Sequence, residues 1–186
     1  MKIFYQMKFT KKILMWMMLT GLTIVSCKKL DKLTQFDITY HNHVTIPAAI
    51  PVNTPYDILT PEIETNTEEE FENNNTHKDL IEEIKLKALT LTILDPTDED
   101  FDFLNAIEIY IETDDLPEKK IAWKDNIPES GLQQLELETS GDDLKEYLLE
   151  DSFKLKIKTT TDHATTRDIT IDVKTVFHVD AKVLGV

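Results

Sequence analysis

The sequence predicts an all-β fold, an antiparallel β-sandwich of about seven or eight strands with one or two short helices. Three observations lead there. Apolar residues recur at every second position in most segments after residue 35, the spacing of a strand with one buried face. The segments are short, and clusters of Asp, Asn, Ser and Pro punctuate them as turns would. Only two brief stretches carry helical spacing. An α+β sheet with the helix around Leu144 packed on one face is the alternative architecture.

Taken in order, Phe36, Ile38, Tyr40, Val44 and Ile46 share one parity, and Asp37, Thr39, His41, His43 and Thr45 share the other. This is a strand with one wet face, and Asn42 interrupts its apolar series where a bulge would sit. Pro47, Pro51, Pro55 and Pro61 follow, and proline confines a strand to a sheet edge; an edge strand fits within 56–63. Residues 64–75, with three consecutive Glu and three consecutive Asn, read as a mobile loop that buries little. Thr76 as a cap, with Leu80, Ile81 and Ile84 on one face, predicts a short helix over 76–83. Leu89, Leu91 and Ile93 form a strand; Phe101, Phe103 and Leu104 plug the sandwich end. Ile107, Ile109 and Ile111 face inward on the next strand, while Glu108, Tyr110 and Glu112 face out. Ile121 and Trp123 belong to another, and Leu135 and Leu137 to a third. Ser140 or Asp142 starts a short helix bearing Leu144, Tyr147 and Leu148.

The last two strands carry the sharpest expectation. Phe153, Leu155 and Ile157 alternate with lysines, and Ile169, Ile171 and Val173 alternate with Asp168, Thr170 and Asp172. A hairpin turning at residues 162–164 would set Ile157 against Ile169, Leu155 against Ile171 and Phe153 against Val173. The same register opposes Lys158 to Asp168 and Lys154 to Asp172. Alternation continues through Phe177, Val179, Ala181 and Val183.

The first 26 residues have a different character. Lys2, Lys8, Lys11 and Lys12 precede an apolar run from Ile13 to Val25, the form of a secretory leader. The run is shorter than the roughly 20 apolar residues of a spanning helix. Met7 heads an equally good leader, so either methionine serves as the start. Ile24-Val25-Ser26-Cys27 resembles the lipobox of Gram-negative bacterial lipoproteins. The resemblance covers the leader alone. It implies cleavage before Cys27, a diacylglyceryl thioether on its sulfur and anchoring in a membrane through lipid. The organisation it implies is a signal peptide (1–26), a lipidated cysteine with its tether (27–34) and one sandwich domain (35–186). Lys28 stands where an aspartate would signal retention at the inner membrane, which implies the outer membrane. The residues after Cys27 lack the acidic cluster of surface-displayed lipoproteins, which favours the periplasmic face.

The chain has 35 acidic residues against 20 Lys and Arg, net −15. Four of those lysines and none of the acids lie in the leader, so without it the net charge is −19. Such a chain repels nucleic acid. Cys27 is the single cysteine, so no intrachain disulfide is possible.

Asp98, Asp100 and Asp102 offer hard oxygen ligands at alternate positions, as Ca²⁺ takes. The EF-hand pattern, however, needs Gly where Phe103 stands and Glu where Ile109 stands; a solvated acidic turn is the simpler reading. His41 and His43 place two imidazoles on one strand face, a geometry zinc uses, but a third ligand is not evident. Trp123 and Tyr110 are candidates for stacking on a sugar, although parity with Ile121 puts Trp123 in the core or at its rim. There is no nucleophile elbow, zinc-protease motif or phosphate-cradling glycine loop. The expectation is a non-enzymatic binding or adaptor protein without a cofactor, its partner an envelope protein or a glycan, with a carbohydrate- or Ca²⁺-binding sandwich module as the alternative.

Overall fold

The computed structural model describes residues 34–182. The leader, Cys27, the tether up to Leu33 and Val183 lie outside the described residues. Two antiparallel sheets pack face to face. The strands are β1 (Gln35–Ile46), β2 (Tyr56–Leu59), β3 (Ile63–Glu64), β4 (Ile81–Asp95), β5 (Leu104–Glu112), β6 (Lys119–Lys124), β7 (Gln134–Glu136), β8 (Glu138–Thr139), β9 (Ser152–Thr161) and β10 (Ile169–Ala181). The first sheet runs β1-β10-β4-β7 and the second β2-β9-β5-β6-β8, with β3 also paired to β9. The helices are α1 (Thr67–Asn73) and α2 (Lys145–Leu148). The fold is therefore the predicted all-β sandwich. Its extra strands arise where 56–64 and 134–139 each divide into two pieces.

Alternation gives the buried faces correctly. Ile38, Val44 and Ile46 of β1, Ile107, Ile109 and Ile111 of β5, and Phe153, Leu155 and Ile157 of β9 are all buried. Across the interior, Tyr40 of β1, Phe177 of β10 and Phe153 of β9 form an edge-on aromatic trio with centroids 5.4, 5.9 and 6.1 Å apart. Phe101, Phe103 and Leu104 are buried where a 3₁₀ turn leads into β5. Burial of such rings adds to the cohesion of a core that is mostly aliphatic.

The expected hairpin between the last two strands does not form. Ile157 opposes Ile58 on β2 and Ile109 on β5, while Ile169 opposes Ile46 on β1. β9 and β10 belong to different sheets. Alternation specifies which face of a strand is apolar, not whether that face meets its equal beside it or across the core. Phe153 meets Phe177 across the sandwich. The connection, residues 162–168, crosses between sheets and is fixed on the way. The Thr165 carbonyl accepts from the Ala49 N–H at 3.0 Å, and Asp168 accepts from the Ala48 N–H at 2.8 Å. Lys154 pairs with Asp114 instead of Asp172, at 3.0 Å.

Three local expectations also change. The 64–75 stretch is not a loop but carries α1, which buries Phe71 edge-on against Phe36. One apolar residue in seven leaves no periodicity to read, yet that residue anchors the segment. The helix expected over 76–83 shrinks to a single 3₁₀ turn, Lys78–Leu80, because Ile81 and Ile84 belong to β4. Asn42 marks no bulge: β1 runs in unbroken register along β10, and the Asn42 amide donates to the Pro61 carbonyl. α2 starts at Lys145, later than Ser140 or Asp142, and buries Leu144, Tyr147 and Leu148 as expected. Among the described residues no helix is long and apolar enough to cross a membrane.

Candidate functional site: the outer face of the second sheet

One irregularity places the aromatic candidates together. In β6 the register against β5 shifts at Ile121: Ile109 opposes Ala122, and Tyr110 opposes Lys120. Ile121 and Ala122 are consecutive and both fully buried. This is a β-bulge, which inserts one residue and reverses the facing of everything beyond it. Trp123 therefore leaves the core and stands on the outer face, opposite Glu108 on β5 and Glu138 on β8. The sequence carried the signal: Lys119-Lys120-Ile121-Ala122 is two polar residues followed by two apolar ones, which strict alternation cannot accommodate.

Cross-strand register then builds two rows over this face. One row reads Leu59, Lys156, Tyr110, Lys120; the other reads Asp57, Lys158, Glu108, Trp123, Glu138. Tyr110 and Trp123 are half-buried and lie in adjacent rows. The Lys120 ammonium is 5.4 Å from the Trp123 ring centroid, and that of Lys158 is 5.3 Å from the Tyr110 centroid, both within cation–π range. Glu108 sits between them, accepting from Tyr110 Oη at 2.9 Å and Lys120 Nζ at 3.1 Å. Lys156 bonds Glu118 at 2.8 Å and pairs with Asp57 at 3.3 Å. Leu59 is 60 % exposed.

The electrostatics follow from these contacts. Partial burial opposes charge on Glu108, but hydrogen bonds from Lys120 and Tyr110 outweigh it and hold the carboxyl below its usual range. Partial burial, then the Glu108 hydrogen bond, pushes the Tyr110 phenol up. Bonds to Glu118 and Asp57 raise Lys156. At neutral pH the face thus presents two aromatic rings, fixed carboxylate acceptors and ammonium donors. Planar rings flanked by directional polar groups suit a ring-shaped polyol, which offers an apolar C–H face and hydroxyl edges.

The acidic turn is arranged differently. Asp98 and Glu99 engage the Arg167 guanidinium at 3.1 and 3.0 Å. The Arg167 hydrogen bond holds the Asp98 carboxyl low. Asp100 accepts from the Asp102 N–H, capping the Phe101–Phe103 turn. Asp102 accepts from the N–H groups of Ser130 and Gly131 at 2.8 and 2.9 Å. The three aspartates thus serve three different protein partners. A second group, Glu129, Asp162 and His163, brings ligand-type atoms within 4.8 Å of one another on two neighbouring loops. An open cleft of about 650 Å³ lies beside α1, lined by Glu62, Glu64, Glu68, Glu69, Asp151 and Lys78 among others. Among the described residues no aromatic side chain lines it, so they offer a sugar no ring to stack on there.

No family model matches the chain, and no curated protein matches it. Among solved structures, the empty head of turnip yellow mosaic virus aligns at 14 % identity with a TM-score of 0.27, covering 80 % of this chain and 84 % of that one. Turnip yellow mosaic virus itself aligns at 13 % and 0.26, covering 81 % and 85 %. Desmodium yellow mottle tymovirus aligns at 10 % and 0.26, with the same coverage. These scores are too low to bear on function, and the functional reading rests on the residues themselves.

Proposed function

We propose that this protein is a lipid-anchored component of a Gram-negative envelope. It is held at the outer membrane through Cys27, favouring the periplasmic face, and acts by binding rather than catalysis. Its ligand is a glycan, received on the outer face of the second sheet. The observation that carries the ligand reading is the bulge at Ile121 and Ala122, which brings Trp123 onto the face that holds Tyr110. The anchor rests on the lipobox resemblance of Ile24-Val25-Ser26-Cys27.

Two experiments test the two halves. Affinity electrophoresis of the full chain through a panel of soluble polysaccharides should retard the parent protein on at least one. Trp123→Ala should weaken that binding about tenfold, the equivalent of roughly 1.4 kcal/mol, and Tyr110→Ala should weaken it too. Binding unchanged in both variants rejects this face. For the anchor, mass spectrometry of the protein from its native host should find a diacylglyceryl group on Cys27, now N-terminal, and Cys27→Ser should leave the membrane fraction. An unmodified thiol rejects the anchor.

A further inference from the structure

We propose that His41, His43 and Asp172 form a divalent transition-metal site, suited to Zn²⁺, on the outer face of the first sheet. It is separate from the aromatic face and independent of the ligand proposed there. His41 and His43 alternate on β1, with side chains on one face roughly 6.7 Å apart along the strand. The sequence alone supplied no third ligand. The β1–β10 register does: Asp172 stands directly opposite His43.

The geometry converges on this carboxylate. Asp172 Oδ1 lies 3.2 Å from His41 Nδ1 and 3.7 Å from His43 Nε2. In a tetrahedral zinc centre with bonds of 2.0–2.1 Å, ligand atoms stand about 3.3 Å apart. These two separations straddle that value. As they stand, the ring nitrogens of His41 and His43 are more than 4.8 Å apart; the His43 ring is 65 % exposed and must turn about its side-chain bonds to close the third edge. The Asp172 side chain is only 14 % exposed, and among the described residues its ion pairs are with these two histidines alone. A carboxylate so withdrawn from water, with no lysine or arginine on it, gains from a divalent cation. Two imidazoles and one carboxylate are a borderline-soft donor set that favours zinc over calcium or magnesium. All three ligands sit on paired strands rather than on loops, and the fourth position faces solvent. Lys174, which opposes His41 in the register, is the nearest cation in the pairing and is exposed, free to swing away.

The test is competition for Zn²⁺ between the full chain in detergent and a chromophoric chelator, with Co²⁺ absorption as a second readout. The parent should bind one ion per chain. His41→Asn, His43→Asn and Asp172→Asn should each weaken binding at least tenfold, with the circular-dichroism spectrum unchanged. The Co²⁺ spectrum should show tetrahedral bands without a thiolate charge-transfer band. Should Asp172→Asn disturb folding, His43→Asn decides, since that ring is exposed. Equal affinity across the three variants overturns the proposal. So does loss on His163→Asn alone, which would move the ion to the Glu129 cluster, or loss only on Cys27→Ser.

Discussion

Replacing Thr159 or Thr175 by valine should stabilise the protein. Both are threonines on inward faces, Thr159 in β9 and Thr175 in β10, at 0 % and 1 % exposure. Among the described residues neither hydroxyl has a hydrogen-bond partner. Burying a hydroxyl without one costs about 1–3 kcal/mol. Valine has nearly the same shape and an equal preference for strands, so it removes the polar atom without opening a cavity. Allowing for imperfect packing of the new methyl group, each change should contribute about 1–2 kcal/mol. Unfolding entropy near 2.1 cal/mol/K per residue over roughly 150 ordered residues makes 1 kcal/mol worth about 3 °C. Each variant should therefore melt about 3–6 °C higher. Urea titration should show a higher midpoint at unchanged slope. If both variants lose more than about 0.5 kcal/mol, outside the ordinary scatter of neutral changes, the hydroxyls are bonded and the reasoning fails.

A double-mutant cycle on Phe153→Leu and Phe177→Leu should show a coupling of about 0.5–1.5 kcal/mol, and one on Lys158→Ala and Asp168→Ala should show none; the opposite pattern would restore the hairpin. Asp102→Ala strips the acceptor from two backbone N–H groups of the 130–131 turn and should cost about 1.5–3 kcal/mol by urea titration, as charge-assisted bonds do. The Lys87 hydrogen bond, with His178 beside it, holds Asp37 below its ordinary 3.8, and Glu108 lies below 4.5. A carboxyl whose folded pKa is depressed contributes stability that is complete above its unfolded value and lost as pH falls through the folded one. Stability should therefore drop below about pH 4.5, and Glu108→Gln should flatten that acid limb; an unchanged limb would contradict the assignment.

The buried faces were legible because they are local. Residues i and i+2 of β1, β5, β9 and β10 carry their own instruction about facing, and the structure buries Ile38, Ile109, Leu155 and Val179 accordingly. Partner choice is not local. β10 lies between β1 and β4, and β9 between β2 and β5; the inward faces among them are mostly aliphatic or aromatic, so many pairings look equally good. The lysine and aspartate alternations that suggested a hairpin face solvent, where each pair adds only a few tenths of a kcal/mol and decides little. α1 was missed for the converse reason. Its acidic residues are mostly exposed and its one apolar residue, Phe71, packs edge-on against Phe36, which is 35 positions away in the chain.

The candidate site was half legible in the same sense. Tyr110 and Trp123 were visible as residue types, but their meeting depends on one inserted position in β6. A bulge is a deliberate irregularity that tends to sit where a sheet must re-aim a side chain. Here it resolves a conflict: the core needs Ile121, while the strand beside Glu108 presents Trp123 outward. Burying both Ile121 and Ala122 satisfies the core with two short residues in place of one long ring. A tryptophan kept out of a well-packed interior and set beside a tyrosine, two lysines and a carboxylate costs the protein apolar burial of about 2–3 kcal/mol that an inward ring would have gained. That sacrifice is easier to understand if the ring has something to bind.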